Sequence, residues 1–305
     1  MNVQQLKVFL EVCDSKTLMD ASGKLGLKQP TVSFHLRSLE EALGVELFHR
    51  VARNLRKTEA ADYLLPYARR IVALTEEAAQ RMAEWREKRG GRLKLGASYT
   101  PATYLMPPYF SEFQKQYPEI GLQLSVKKAA TILDMLRRYE IDAAVVSLPD
   151  AAESGIRITR LIEDELKLLF SPKHPLADRA SIGIEDLRNQ TFLLHENGST
   201  SRQLTDEWAD QIGLRFESLM ELGAIETIKE ALKCNMGVGV LPRRSVVRET
   251  NAGDLVQREL PGYRNRRFIC LVCRDEDPLS PPLQLFQTFV TTRIGREGPF
   301  IIPPS

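Results

Sequence analysis

Residues 17–57 constrain this chain more than any other stretch. Val32, Leu36, Leu39 and Leu43 recur at helical spacing and share one face. Pro30 falls in the first turn, where a missing N–H costs nothing, and Gly44 follows Leu43 as a stop. The spacing predicts a helix over 29–43. Its other face carries Gln29, Thr31, Ser33, Phe34 and Arg37: short polar groups, an aromatic ring and a planar cation. That chemistry suits hydrogen bonds to base edges and apolar contact with thymine methyls. A shorter helix precedes it, with Thr17 as N-cap, Leu18, Ala21 and Leu25 facing inward, and Gly26-Leu27 as the turn. Helix, tight turn and second helix is the arrangement in which the second helix enters the DNA major groove. Residues 45–48 read as a short strand, followed by Arg50, Arg53, Arg56 and Lys57, with a turn expected at Asn54. A basic hairpin beside such a helix is placed to touch phosphates. The pattern alone also fits an all-α core with a solvated basic loop.

Residues 1–65 resemble the LysR-type transcriptional regulators. The resemblance rests on Leu6 and Phe9, Ala21 and Leu25, Gln29-Pro30, Ser33, Leu39-Glu40, Leu43-Gly44, Leu47-Phe48, Arg50 and Thr58-Glu59-Ala60. Lys28 stands where a Ser is usual, Ser22 where a second Ala is usual, and Ala61 where a Gly is usual. Lys28 keeps the capacity to contact phosphate. The resemblance implies a DNA-binding set of Lys28, Gln29, Pro30, Thr31, Ser33, Phe34, Arg37, Arg50, Arg53, Arg56 and Lys57.

Length and charge bound the rest. The 305 residues suffice for two or three domains, and a net charge of only +2 confines any DNA-binding charge to local clusters. The four cysteines, Cys13, Cys234, Cys270 and Cys273, are too sparse for a disulfide scaffold. Cys270 and Cys273 fall in a predicted strand, where positions three apart point to opposite faces, so core packing is expected for both. No apolar run approaches the roughly 18 residues of a membrane span. The N-terminus lacks the pattern of a signal peptide, so a cytoplasmic protein is expected.

A first helix is expected over 3–13, with Leu6, Phe9, Leu10 and Cys13 on its buried face. Residues 60–88 contain no Gly, and Pro66 is their only Pro. Leu64, Ile71, Ala78 and Trp85 lie seven apart, and Ala68, Thr75 and Met82 form a second such set. These make an a/d seam, reading as a long helix that pairs with a copy of itself, parallel or antiparallel. The other reading is a single amphipathic helix lying on its own domain. The seam residues named for the dimer are Leu64, Ala68, Ile71, Ala78, Met82 and Trp85. In the resembled family this helix makes the dimer, and pairs of dimers form a tetramer.

Residues 88–91 read as a basic, flexible hinge. Strand signals follow at 93–97, 122–126, 143–146, 167–170, 191–194, 218–222, 238–241 and 268–272. Helix signals fall at 104–117, bent near Pro107-Pro108, and at 132–139, 201–212, 224–233 and 281–293. Alternation of this kind argues an α/β domain with largely parallel sheets. The final residues, from 295, read as a loose tail. Leu95-Gly-Ala-Ser98, Glu163-Asp-Glu-Leu166, His174-Pro-Leu-Ala177, Gly198-Ser-Thr-Ser-Arg202 and Gly237-Val-Gly239 resemble the LysR effector domain, which is built like a periplasmic binding protein. They are most similar to the branch that includes regulators of carbon-fixation and sulfur-assimilation operons. The whole is then α/β: a winged helix-turn-helix over 1–59, a dimerising linker helix over 60–89 and an effector domain over 90–305. Lobe one would take 92–161 and 267–305, and lobe two 162–266.

Ser98 and Thr100 follow a strand and precede a helix, as do Gly198, Ser199, Thr200, Ser201 and Arg202. Ligands gather beyond the carboxyl ends of strands in such folds, where helix N-termini offer free N–H groups. Hydroxyls with Arg202 suit a carboxylate or a phosphate ester, and Thr131 is a further candidate. The same hydroxyls equally suit helix caps. Catalytic signals are absent from the sequence: no HExxH, nucleophile elbow, Walker loop or third glycine after Gly237-Val-Gly239. No metal or cofactor is expected. The reading is a regulator that binds double-stranded promoter DNA as a homotetramer, responds to a small-molecule co-inducer and engages RNA polymerase. The alternative is a cytoplasmic enzyme or binding protein whose N-terminal helices only mediate oligomerisation.

Overall fold

The computed structural model describes residues 1–51, 54–87, 91–149, 155–179, 181–275 and 280–294. The chain divides into two compact units, residues 1–90 and 91–305. In the first, α1 (Val3–Cys13), α2 (Leu18–Leu25) and α3 (Gln29–Leu43) enclose a core, followed by β1 (Phe48–Val51), β2 (Asn54–Lys57) and the long α4 (Glu59–Glu87). Thr17 caps α2, its side chain accepting from the Asp20 amide, and Gly26 and Gly44 end α2 and α3 in the left-handed conformation. The buried face of α1 is wider than the spacing of Leu6, Phe9, Leu10 and Cys13 implies. Val8 and Val12 are fully inside because α2, α3 and α4 all pack against α1.

The hairpin begins later than the sequence predicts. Glu40 Oε1 accepts from the amides of Leu47 (2.8 Å) and Phe48 (3.3 Å), so those N–H groups are taken by α3 while Thr58 bonds the Glu46 and Leu47 carbonyls, and the strand begins only at Phe48. The ladder runs from Phe48 opposite Lys57 to Val51 opposite Asn54, which places Asn54 in β2 and not at the turn.

The second unit contains two five-stranded sheets. One is built from β3 (Arg92–Ala97), β4 (Gly121–Val126), β5 (Ala143–Pro149), β6 (Ile156–Glu163) and β12 (Arg267–Arg274), in the order β4-β3-β5-β12-β6. It carries α5 (Tyr99–Tyr104), α6 (Met106–Gln116), α7 (Ala129–Arg137) and α12 (Pro281–Ile294). The other is built from β7 (Leu166–Phe170), β8 (Thr191–His195), β9 (Ser218–Leu222), β10 (Val238–Pro242) and β11 (Val256–Arg258), in the order β11-β7-β10-β8-β9. Around it lie α8 (Ile184–Leu187), α9 (Thr200–Gln211), α10 (Ile225–Lys233) and α11 (Val247–Ala252).

Neither sheet is largely parallel. β3 pairs parallel with β4 and β5, but β12 runs antiparallel to both β5 and β6. The second sheet repeats this mixture, with β7 antiparallel to β10 and β11. The antiparallel strands β6, β7 and β12 are those through which the chain crosses between sheets. Cys270 and Cys273 pack into different cores on opposite faces of β12, as the spacing predicts. Glycine is required at Gly237, where a Cβ would lie 2.1 Å from the Thr191 carbonyl oxygen as β10 enters beside β8.

The two crossovers are tied by one buried ion pair. Asp164 follows β6 and Arg267 opens β12; Oδ2 of the first lies 2.8 Å from Nη1 of the second. The Arg267 side chain is 2% exposed and that of Asp164 not at all. Asp164 N donates to the Arg267 carbonyl, and Asn265 Oδ1 accepts from Arg267 N, so the backbones are joined as well. Ser147 Oγ donates to Asp164 Oδ2, and Arg267 Nη2 donates to Thr100 Oγ1.

Two outcomes follow from this packing. Asp164→Asn leaves a buried guanidinium without its counter-charge and should cost roughly 3–5 kcal/mol. Gly237→Ala should cost roughly 1–3 kcal/mol through the forced shift at Thr191. Urea unfolding followed by the fluorescence of buried Trp208 measures both, and an unchanged midpoint would contradict either.

Candidate nucleic-acid interface and interlobe cleft

On α3, Val32 and Leu39 are fully buried and Leu36 nearly so. The opposite side leaves Lys28, Gln29, Pro30 and Arg37 exposed, Thr31 and Ser33 half-exposed, and the Phe34 ring 67% exposed. A ring exposed beside short polar groups and a guanidinium is able to make apolar contact with thymine methyls. Gln5 Nε2 donates to Ser38 Oγ and fixes the roll of α3 on α1. In the hairpin, Arg56 and Lys57 are exposed, and Lys57 pairs with Asp62 of α4. Arg53 lies outside the described residues, as does the side chain of Arg50.

The long helix divides the expected seam. Ala68 is buried and Leu64 and Ile71 are partly buried against the core shared with α1 and α3. Thr75 and Ala78 are exposed, and Met82 is 63% exposed; the Trp85 side chain lies outside the described residues. The first half of the seam is thus used within the chain. Tyr63, Tyr67 and Leu74, which the heptad spacing did not single out, are the large apolar side chains exposed on that half.

In the second unit a cavity of about 40 Å³ lies where the two sheets' helices meet. Ser98, Thr100, Lys128, Ser147 and Arg267 line it from one lobe, and His195, Ser199, Thr200 and Ser201 from the other. Ser98 Oγ accepts from the Ser147 amide at 2.9 Å, and Thr100 accepts from Arg267, so neither serves as a helix cap. Ser199 does cap α9, accepting from the Arg202 amide. Thr200 Oγ1 donates to the Ser147 carbonyl, and Lys128 Nζ donates to the Asn197 carbonyl and pairs with Glu196 at 3.0 Å. Tyr104 OH donates to Glu226 on the other lobe. Gly198 is in the left-handed region, close to Lys128 Nζ.

Two expectations change here. Arg202 does not line the cavity: its Nε donates to both Asp206 oxygens, and its Nη1 to Glu221 and to the His195 carbonyl. Two carboxylates on an adjacent turn and strand outcompete an open cleft for the guanidinium. Thr131 is exposed on α7, a turn beyond Lys128, and lies outside the cavity. The cations that line the cavity are Lys128 and Arg267, and Arg267 is the buried one. Burial presses against its charge, and Asp164 offsets that cost. Burial also holds His195 below the ordinary imidazole value; Lys128 and Arg267 push the same way and Glu196 opposes them.

Sequence reasoning missed Lys128, Ser147, His195 and Arg267. Period-two alternation held a signal for the last: Arg267 shares its strand face with Ile269, Leu271 and Cys273, which are core. Among the described residues no cluster of three or more His, Cys, Asp or Glu is placed to hold a metal, and no helix is long and apolar enough to cross a membrane.

Comparison with known proteins agrees with this architecture. Residues 3–62 match the family described as bacterial regulatory helix-turn-helix protein, lysR family, and residues 86–295 match the LysR substrate binding domain. The chain is 32% identical over 255 residues to the HTH-type transcriptional regulator CysL of Bacillus subtilis (strain 168), covering 84% of this chain and 83% of that one. It is 28% identical over 295 residues to a probable RuBisCO transcriptional regulator of Porphyra purpurea, covering 95% and 93%. Both names fall in the branch to which the sequence resemblance pointed. Full-length OxyR from Pseudomonas aeruginosa has a similar fold, with a TM-score of 0.66 at 23% identity over 95% of this chain and 94% of that one. The chain belongs to the LysR family of DNA-binding transcriptional regulators, with an N-terminal helix-turn-helix domain and a C-terminal effector-binding domain.

Proposed function

We propose that this regulator reads promoter DNA through Gln29, Thr31, Ser33, Phe34 and Arg37 on α3, while Lys28 and the hairpin cations Arg50, Arg53, Arg56 and Lys57 meet phosphates. The observation that carries this reading is the division of α3, one side locked in a core and the other leaving an aromatic ring and Arg37 in solvent. The domain boundaries are those set out from the sequence: 1–59, 60–89 and 90–305. The protein works in the cytoplasm, catalyses no reaction, and passes its signal to RNA polymerase.

Assembly uses two surfaces. The exposed side of α4, with Tyr63, Tyr67, Leu74, Ala78 and Met82, pairs with a copy of itself. The edge strands β4 and β9 leave Leu124, Leu219 and Met220 exposed, and exposed edges invite pairing. Two separate surfaces per chain suit a dimer of dimers.

A small anion is the effector. It enters between Ser98, Thr100 and Arg267 on one side and the 198–201 segment on the other. An anion that gains contacts from both lobes only when they close has the differential affinity a regulatory ligand needs.

Arg37→Ala should reduce discrimination between operator and random DNA by about 1–3 kcal/mol, the worth of one bidentate base contact. Arg56→Ala should weaken both DNAs alike and lower the salt slope by about one. Fluorescence anisotropy at several salt concentrations measures both; specificity lost with Arg56→Ala and kept with Arg37→Ala would sink the placement. Leu74→Asp puts a charge on a side chain 53% exposed in the single chain, so it should leave folding intact and dissolve the helix pair. Sedimentation velocity reads the outcome, and an unchanged assembly would count against pairing through α4.

A further inference from the structure

One aromatic side chain of the first lobe is housed in the second. Tyr104 ends α5, which belongs to the lobe of the β4-β3-β5-β12-β6 sheet. Its half-buried ring packs against the core of the other lobe, the cluster that includes Leu193, Ile228 and Leu241. Lys229 Nζ lies 5.6 Å from the ring centroid, and the phenol donates to Glu226. The helix α5 also packs against the 3₁₀ turn Arg243–Val246 of that lobe. Thr200 to Ser147 and Lys128 to Glu196 join polar groups across the cleft; Tyr104 adds apolar burial to its hydrogen bond.

The partners of Tyr104 are arranged so that this contact can break without stranding a charge. Lys229, its side chain 4% exposed, pairs with Glu249 at 2.7 Å and with Glu226 at 2.8 Å, and donates to the Ser245 carbonyl at 3.2 Å. All four residues lie in the second lobe, so Lys229 keeps every one of these bonds when the lobes part. Glu226, 62% exposed, then bonds water in place of the phenol. Only the Tyr104 ring is newly uncovered. The Asp164–Arg267 pair is the opposite case, because separating it would leave buried charges uncompensated. Thr100 and Tyr104 stand four residues apart on one side of α5, and Thr100 accepts from Arg267. A single helical turn therefore runs from the crossover network to the Tyr104 ring.

We propose that Tyr104 is a detachable latch: seated between Lys229 and the second lobe's core it holds the lobes closed, and unseated it lets them part about the Asp164–Arg267 hinge. The inference does not depend on which ligand fills the cavity.

The test is pulsed electron-spin resonance of the full chain without ligand. Helices α7 and α10 both begin at the cavity, at Ala129 and Ile225, and run away from it, so their far ends separate as the lobes part. One label goes on Cys234, exposed at the end of α10, and the other on Glu140→Cys, just beyond α7, in a Cys13→Ser background; Cys270 and Cys273 are buried. Labelled chains are diluted into unlabelled protein so that distances within one chain are read. Tyr104→Ala should raise the ratio of a longer-distance to the parental population by roughly tenfold, the worth of half-burying such a ring. Tyr104→Phe and Glu226→Ala each remove only the hydrogen bond and should raise it about threefold. They break the same bond, so the double variant should match either single one. Melting curves verify that each variant folds. An unchanged distribution in Tyr104→Ala would overturn the inference. Broadening about the parental mean without a longer-distance population would also overturn it, since the ring would then be ordinary packing. Multiplication of the two single effects in the double variant would overturn the assigned hydrogen bond and the latch with it. A failure of the anion reading appears in ligand titrations and leaves these ligand-free distances as they are.

Discussion

The Asp164–Arg267 ion pair is the interaction on which the effector domain depends. Two charges removed from water are tolerated only when each finds the other and further hydrogen bonds. Here the pair sits where both crossovers pass between the sheets; the paired Asp164 Oδ2 also accepts from Ser147, and Arg267 Nη2 donates to Thr100 at the floor of the cleft. The element joining the lobes and the element lining the cavity are therefore the same network.

Around that floor the lobes hold each other through single hydrogen bonds and exposed ion pairs: Thr200 to Ser147, Lys128 to Glu196 and Asn197, and Tyr104 to Glu226. Partly exposed pairs of this kind contribute little, typically under about 1 kcal/mol each. A strong hinge beneath weak latches is suited to a domain that opens and closes by a modest free-energy difference. In the DNA-binding unit the balance is different. There α1 meets three other helices, and Glu40 and Ser38 fix the hairpin and α3 to that core, so the exposed face of α3 stands on a packed base.

Much of this was legible in the sequence because it rests on local rules. The α3 boundaries follow from Pro30 and Gly44, the α2 cap from Thr17, and the split faces of Cys270 and Cys273 from strand geometry. What escaped depends on partners distant in the chain. β6 reads Ile-Arg-Ile-Thr-Arg-Leu-Ile-Glu, an alternation broken by a bulge against β12, and so carries no clean strand signal. The hairpin start shifted because a glutamate on α3 binds two amides, which no propensity encodes. Arg202 looked like the cleft cation because it follows three small hydroxyl residues at a helix start. Asp206 and Glu221, one local and one remote, claimed it instead. Arg267 is a single member of a basic run with Arg264 and Arg266, and only the strand register turns it inward.

Under the proposed function, an anion held in the interlobe cavity alters how the protein binds its promoter. The most direct measurement is nuclease footprinting of the full chain on the DNA upstream of its own coding region, with acetate and other small monocarboxylates set against chloride at equal ionic strength near pH 6.5. Saturating carboxylate should alter the length of the protected region or the cleavage pattern at its centre, and chloride should not. A footprint identical in every anion, at concentrations that fill the cavity by calorimetry, would contradict it.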